Sequence, residues 1–162
     1  VPVSAKTGAG IDKLLDAIGD AMRPARRTDM VSVRALHASV GLRDESARDD
    51  QFPSFYVLRN EHGTAGCTAL EVYGEDAIFR GLAVLPECRG AGYGWMLADM
   101  AVSQARWRGV RRIYLLTEWA SDFFAAKFGF RVVDRSTVSK QIDATETFAT
   151  ANPSRVAMRL DL

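Results

Sequence analysis

Three closely spaced glycines follow an apolar run in a pattern that suits anion binding. The run includes Val84, and Gly90, Gly92 and Gly94 come after Pro86. Glycine allows a backbone to turn sharply and to approach a ligand closely. Backbone N–H groups at the start of a helix can then hold phosphate oxygens. The pattern predicts a diphosphate site, and a flexible connector is the alternative that the glycines alone leave open.

The composition argues against several other classes of function. The 162 residues include 21 basic and 20 acidic side chains, a balance that does not favour a nucleic-acid partner. We find no apolar run long enough to span a bilayer and no segment typical of a signal peptide. The cysteines and histidines, Cys67, Cys88, His37 and His62, lack metal-ligand spacing. We therefore expect a cytoplasmic protein with reduced thiols, no metal, and no membrane or nucleic-acid partner.

The periodicity of apolar residues places the glycine bend between a strand and a helix. FYVLRN, TAGCTALEVY and AIFRGLAVL are predicted strands, with turns at residues 60–63 and 74–76. A helix is predicted from about residue 92 to 108, followed by the strand RRIYLLT and by the helix ASDFFAAKFG, which Gly129 ends. FRVVDR is a further predicted strand, Ser136 begins one more helix, and SRVAMRLDL is the last strand.

The order of these elements predicts the fold class. A helix capped by Asp29 and reaching Gly41 precedes two hairpins, and strand–helix units follow them. This order is typical of a mixed sheet with helices on both faces, an α/β (α+β) fold.

The motif around the glycine bend resembles the acetyl-CoA signature of the GNAT superfamily. Arg89-x-x-Gly92-x-Gly94 follows the strand residues LAV, and the later helix ending AAKFGF is similar to the superfamily's last coenzyme-facing helix. The resemblance begins near Met22 and implies a GNAT acetyltransferase domain over residues 21–162. It also implies a mostly antiparallel mixed sheet that splays at the coenzyme strand, acetyl-CoA as co-substrate, and direct attack of a small-molecule amine on the thioester.

The resemblance implies coenzyme contacts residue by residue. The splayed strand would expose main-chain groups to the pantetheine arm, and one N–H group there would stabilise the tetrahedral oxyanion. The bend would hold the diphosphate on its amides, and Arg89 would add a charge-assisted contact. The implied coenzyme-binding residues are Leu82, Ala83, Val84, Arg89, Gly90, Ala91, Gly92, Tyr93 and Gly94.

The catalytic groups are less clearly marked. Part of the superfamily has a glutamate on the coenzyme strand where Ile78 stands here, and many members have a tyrosine where Ala125 stands. Glu118 and Tyr73 are the remaining candidates for protonating the leaving thiolate, and water is the alternative. Because the familiar groups are absent, a non-catalytic acyl-CoA-binding or regulatory module is the second functional hypothesis.

Charged residues on the central hairpin are candidates for binding the acyl acceptor. The turn after Tyr73 would pair that residue with Ile78 and would place Glu71 opposite Arg80 at the substrate cleft. A cross-strand ion pair is the plain interpretation. The alternative makes Arg80 an anchor for an anionic substrate, with Glu71 orienting it and Trp119 as a further substrate contact.

Two further resemblances extend the hypothesis. LEVYG, FRGLAV, FGFRVVDR and ATETF…NPSRVAMRL are similar to the arsenic-resistance N-acetyltransferase family, from which Asn152 and Arg155 depart. The acceptor would then be an anionic or toxic amine. Residues 1–20 resemble the C-terminal SAK segment of a bacterial GTPase, without the other GTPase motifs. We interpret them as an appendage whose apolar helix face would support a homodimer.

Overall fold

A mixed sheet organises the part of the chain that the structure describes. The computed structural model describes residues 22–42 and 47–162, so the predicted appendage at residues 1–20 lies outside the described residues. The strands are β1 (Met22–Pro24), β2 (Phe55–Asn60), β3 (Gly63–Tyr73), β4 (Asp76–Val84), β5 (Arg112–Thr117), β6 (Arg131–Val132) and β7 (Val156–Asp161). Within the described ranges they form one sheet in the order β1-β2-β3-β4-β5-β7-β6. Neighbouring strands are antiparallel except β4 and β5, which are parallel. The predicted mixed, mostly antiparallel sheet is confirmed.

Helices cover both faces of this sheet. They are α1 (Met30–Ser39), α2 (Tyr93–Trp107), α3 (Ser121–Phe128), α4 (Lys140–Asp143) and α5 (Glu146–Ala149). Side chains alternate between the faces along β4. Phe79 therefore packs with Ala98 of α2 and Phe124 of α3, whereas its neighbour Ile78 packs with Ile142 of α4 and Phe148 of α5. Helix α1 lies beside the second group, against β2 and β3. Among the described residues, no helix has the length and the apolar character that a membrane crossing needs.

Helix α2 lies close to the sheet because β3 has a glycine beneath it. A Cβ atom at Gly66 would lie 2.8 Å from Leu97 Cδ1 and 3.2 Å from the carbonyl oxygen of Ala83. Leu97 itself is fully buried on the inner face of α2. Gly66 therefore sets how deeply α2 packs, and with it the position of the N-terminus of α2 beside the end of β4.

Most predicted elements are confirmed, one strand is shorter than predicted, and one predicted helix start is wrong. The helices on both sides of RRIYLLT form, and Gly129 ends α3 in the left-handed conformation, with φ of 76°. Of FRVVDR, only Arg131–Val132 forms a strand. The helix expected at Ser136 is a 3₁₀ turn, and α4 begins later, at Lys140. The carboxylate of Asp134 accepts hydrogen bonds from the Ser136 N–H and hydroxyl, which favours a tight turn over a helix start.

Asp29 precedes α1 as predicted, but its carboxylate does not cap that helix. It accepts a hydrogen bond of 2.7 Å from the Arg26 N–H and bonds of 2.8 and 3.1 Å from the Arg23 guanidinium. Arg59 lies 3.7 Å away. Asp29 is buried, and the hydrogen bond from Arg23 is the main cause that lowers the pKa of Asp29. The carboxylate thus connects β1 and the start of α1 to β2. At its other end, α1 stops at Ser39 rather than at the predicted Gly41.

We predict that Asp29→Asn lowers the free energy of unfolding at neutral pH by about 1–2 kcal/mol, because a buried charge-assisted hydrogen bond is lost. The stabilisation by Asp29 is complete above the ordinary aspartate pKa of about 3.9 and is lost as pH falls through the lowered folded-state pKa. The difference between parent and variant should therefore shrink below about pH 4. Urea titrations across pH measure it. Asp50, in an exposed pair with Arg48, is the control: equal losses for Asp29→Asn and Asp50→Asn would contradict the prediction.

Candidate functional site

Strands β4 and β5 separate partway along their length. In the part of the chain that the structure describes, their backbone pairing joins only residues 76–78 to residues 112–114. Beyond that point β4 continues to pair with β3, while β5 pairs with β7 along its whole length. The second half of β4 therefore presents N–H and C=O groups toward a gap in the sheet. Such groups need a partner other than a neighbouring strand.

A bulge at Gly81 lies at the start of this gap. Ala69 pairs with Arg80 and Cys67 with Ala83, so three steps along β4 match two along β3. Gly81 has φ of 65°, which suits a bulge residue in the left-handed conformation. Gly81 is not among the predicted coenzyme-binding residues. The signal for it was present, since an isolated glycine inside a strand pattern indicates a bulge.

The bulge and the strand alternation decide which amides face the gap. The Leu85 N–H donates to the carbonyl of Ala65 in β3 at 2.9 Å. Because N–H groups alternate in direction along an antiparallel strand, Ala83 also directs its N–H toward β3, and Val84 directs its N–H toward the gap. Of the three strand residues predicted to contact the coenzyme, Val84 is thus the one whose N–H the alternation directs toward the gap, whereas Leu82 follows the bulge, where the alternation is interrupted.

The glycine bend forms the second wall of the site. Gly90 and Gly92 have φ of 82° and 84°, and Gly92 is the residue from which α2 begins. The first N–H groups of α2, including those of Tyr93 and Gly94, have no partner within the helix. N–H groups in this position, at the positive end of a helix, can bind an anion. The Arg89 N–H is not among these groups, because it donates to the Pro86 carbonyl at 3.3 Å; only the guanidinium of this exposed residue could reach an anion.

A cleft of about 920 Å³ joins the bend to the gap. This volume suits a ligand larger than a simple metabolite. Every predicted coenzyme-binding residue except Ala91 lines it, as do Arg80, Glu118 and Trp119 among the predicted catalytic and substrate-binding residues. Glu71 and Tyr73 are not among the lining residues. The structure thus brings most of the predicted site together around one cavity.

Arg80 lines the floor of the cleft, and side chains of β2 and β3 outside the cleft hold it in place. Its Nε lies 2.7 Å from Glu71 Oε1, its guanidinium stands 5.0 Å from the centre of the Phe55 ring, and its side chain is buried. Tyr73 donates its hydroxyl to the other Glu71 oxygen at 2.9 Å. Burial, followed by the negative charge of Glu71, raises the pKa of Tyr73 to about 12. This network connects Tyr73 to the cleft only through Glu71 and Arg80.

The predicted register of this hairpin is wrong. Tyr73 pairs with Asp76, and Glu71 pairs with Ile78 rather than with Arg80. The turn contains two residues, Gly74 and Glu75, and not the longer loop that the sequence suggested. A register shift of two keeps every side chain on the same face of the sheet. Glu71 therefore still reaches Arg80, diagonally across the two strands, and the predicted ion pair forms.

The mouth of the cleft has a second charged pair. Arg155, just before β7, lies with its Nε 3.5 Å from Glu118 Oε1, just after β5. Both side chains are about one-third exposed, and the neighbouring Trp119 is 90% exposed. In the sequence, Arg155 stands out only as a departure from a family pattern. These residues face the cavity from the β5–β7 side, opposite the bend.

Comparison with known families identifies the domain. The family model for the acetyltransferase (GNAT) domain matches residues 51–132, about half of the chain. The match contains the bulge, the second half of β4, the glycine bend, α2 and α3. The protein belongs to the GNAT acetyltransferase family. Its co-substrate is accordingly acetyl-CoA.

Solved GNAT structures share the fold of this protein. Rv2747 from Mycobacterium tuberculosis, in complex with CoA and NLQ, aligns with a TM-score of 0.73 at 22% identity, over 87% of this chain and 98% of its own. N-acetylglutamate synthase from Neisseria gonorrhoeae, complexed with coenzyme A and N-acetyl-glutamate, aligns with 0.76 at 21% identity, over 87% of this chain and 34% of its own. A GNAT acetyltransferase from Staphylococcus aureus Mu50 aligns with 0.68 at 16% identity, over 87% and 98%.

The GNAT cleft has no metal-binding cluster within residues 22–42 and 47–162, where no three His, Cys, Asp or Glu side chains converge. Its charged side chains are instead those of three arginines (Arg80, Arg89 and Arg155) and of Glu118. The arrangement can bind a polyanion at the bend and can polarise a carbonyl group in the gap.

We predict that Gly92→Ala weakens acetyl-CoA binding about tenfold or more, because an added Cβ occupies the approach to the amides at the start of α2. Gly109→Ala is the matched control. Gly109 follows the other end of the same helix and has φ of 77°, and a Cβ atom added there would meet no neighbouring atom within 4 Å. Both substitutions impose similar backbone strain. Calorimetry with acetyl-CoA gives the comparison, and equal affinities for the two variants would exclude anion binding at the start of α2.

Proposed function

We propose that this GNAT domain transfers the acetyl group of acetyl-CoA to the amine of a small molecule by direct attack on the thioester. The main support for this proposal is the separation of β4 from β5 next to the glycine bend. It leaves backbone amides without a strand partner along a cleft of about 920 Å³. This geometry supports a diphosphate at the start of α2 and a pantetheine arm along β4. The thioester would then lie near the bulge.

The reaction needs a donor to the developing oxyanion and two proton movements. A neutral amine attacks the carbonyl carbon, a C–N bond forms, and the negative charge moves to the oxygen. The N–H of Leu82 stabilises that charge. The C–S bond then breaks, the attached nitrogen loses a proton to solvent, and the thiolate gains one. We assign Glu118, which lines the cleft, as the group that exchanges these protons with water. The raised pKa of Tyr73, about 12, makes that phenol the weaker candidate.

The acceptor is proposed to carry an anionic group. Arg80 and Arg155 both face the cleft, and Trp119 offers an exposed ring beside them. The gonococcal N-acetylglutamate synthase was solved with N-acetyl-glutamate, an anionic amide. The resemblance to the arsenic-resistance N-acetyltransferase family supports an acceptor that is toxic as well as anionic.

A non-catalytic acyl-CoA-binding module is the second candidate. Ile78, where part of the superfamily has a glutamate, is fully buried in an apolar cluster. Ala125, where many members have a tyrosine, has no proton to give. Neither position supplies an acid or base, so proton transfer would depend on Glu118, on the weaker candidate Tyr73, or on water.

Release of free CoA thiol from acetyl-CoA in the presence of amines separates the two candidates. The panel should include amino acids, aminophosphonates, arsenical amino acids and alkylamines without an anionic group. We expect thiol release to depend on both acetyl-CoA and an anionic amine. The substitution Gly92→Ala should lower this release in parallel with the affinity for acetyl-CoA. Tight acetyl-CoA binding without release from any amine would favour the non-catalytic module.

We predict that Glu71→Gln/Arg80→Gln raises the KM for an anionic acceptor about tenfold and leaves the KM for acetyl-CoA unchanged. The double variant removes the anchoring charge without leaving a buried carboxylate unpaired, which a single substitution would do. An alkylamine without an anionic group is the control substrate, because its KM should be the same in parent and variant. Steady-state kinetics with both amines test the prediction, and equal KM values in parent and variant would leave Arg80 with only a structural role.

A further inference from the structure

A buried histidine on α1 contacts the bulge carbonyl on the coenzyme strand. His37 is 3% exposed, and its Nε2 lies 3.0 Å from the carbonyl oxygen of Gly81. A carbonyl oxygen can only accept, so Nε2 carries the hydrogen in this bond. The thiol of Cys67 lies 3.4 Å from the same nitrogen and 3.6 Å from the same oxygen. Neither side chain has a place in the proposed mechanism.

The bond from His37 orients the next amide of the chain. The peptide between Gly81 and Leu82 is trans, since no cis peptide occurs in the described residues. In a planar trans peptide the C=O and N–H groups point in opposite directions. The Gly81 carbonyl points to α1, where His37 holds it. The Leu82 N–H must therefore point away from α1, and Leu82 lines the cleft.

The bulge makes such a restraint necessary. Ladder pairing holds Arg80 to Ala69 and Ala83 to Cys67, but the extra residue between these pairs has no place in the ladder. Gly81 is also the residue with the widest choice of backbone conformations. A peptide at this point can rotate unless something outside the strand fixes its carbonyl. Among the described contacts, those of His37 and Cys67 do so.

We propose that His37 is a positioning residue for acetyl transfer: by donating to the Gly81 carbonyl, it directs the Leu82 N–H at the thioester oxygen. This inference rests on the proposed function. His37 would not touch the substrate or the coenzyme, and would act only through the bulge peptide. Loss of the His37 hydrogen bond should destabilise the transition state, in which the thioester oxygen is negatively charged, more than it weakens coenzyme binding.

Two variants of nearly equal shape test this role. His37→Gln keeps an N–H donor at the end of the side chain, and His37→Met places a methyl group there. We expect His37→Gln to retain kcat within about threefold, and His37→Met to lose about tenfold or more, which is part of the effect of deleting an oxyanion donor. The affinity for acetyl-CoA should stay the same in both. Equal kcat values for the two variants would overturn the proposal.

Infrared spectra of bound acetyl-CoA labelled with ¹³C at the thioester carbonyl add a readout that a structural role would not move. Binding to the parent and to His37→Gln should shift the carbonyl band to lower frequency, and binding to His37→Met should not. An equal shift in all three proteins would refute the proposal.

The parent protein provides a test that does not depend on the folding of a variant. In ¹⁵N–¹H spectra, the Leu82 amide should shift between the CoA complex and the acetyl-CoA complex. An unchanged Leu82 resonance would overturn the inference while leaving acetyl transfer intact. Absence of acetyl-CoA binding to the parent would overturn the proposed function itself, so the two failures are distinguishable.

Discussion

The separation of β4 from β5 is the constraint on which the site depends. Each of these strands is held by a different partner: β4 by β3, and β5 by β7 over six residue pairs. The two halves of the sheet share only three backbone pairs. A buried polar group without a partner costs about 1–3 kcal/mol, so apolar packing could not close the gap cheaply. The fold therefore keeps a cleft that water or a ligand with amide groups of its own must fill.

Packing on both faces of the sheet holds β4 in place beside the gap. On one face, Phe79 and Phe124 meet edge to face with centroids 5.3 Å apart. On the other, Arg80 is fixed by the Glu71 carboxylate and the Phe55 ring. A buried guanidinium would be costly without that carboxylate. The hydrogen-bonded pair thus stabilises the floor of the cleft, whatever else Arg80 contacts.

The sequence predicted what depends on local pattern and missed what depends on pairing. Strand and helix positions around the glycine bend follow from apolar periodicity and from glycines such as Gly129. The register of the β3–β4 hairpin follows from turn length, and a turn shorter by two residues moved the partner of Glu71 from Arg80 to Ile78. The side chains kept their faces, so the ion pair survived the error. The bulge at Gly81 changes which amides face the gap; an isolated glycine in a strand pattern indicates such a bulge, but the direction of the amides follows only from the paired strands. Arg155 and Glu118 are far apart in the chain, and β5–β7 pairing brings them together.

The two halves of the sheet present different kinds of groups to the cleft. The β4–α2 half presents backbone amides, at the bulge and at the start of α2, and any sequence that adopts the same turns would present the same groups. The β5–β7 half presents side chains, among them Glu118, Trp119 and Arg155, on segments that extend beyond the paired strands. Side chains at such positions can change without disturbing the ladder or the bend. The amides of the β4–α2 half are thus tied to the fold itself, whereas side chains at the mouth of the cleft can be substituted without changing it.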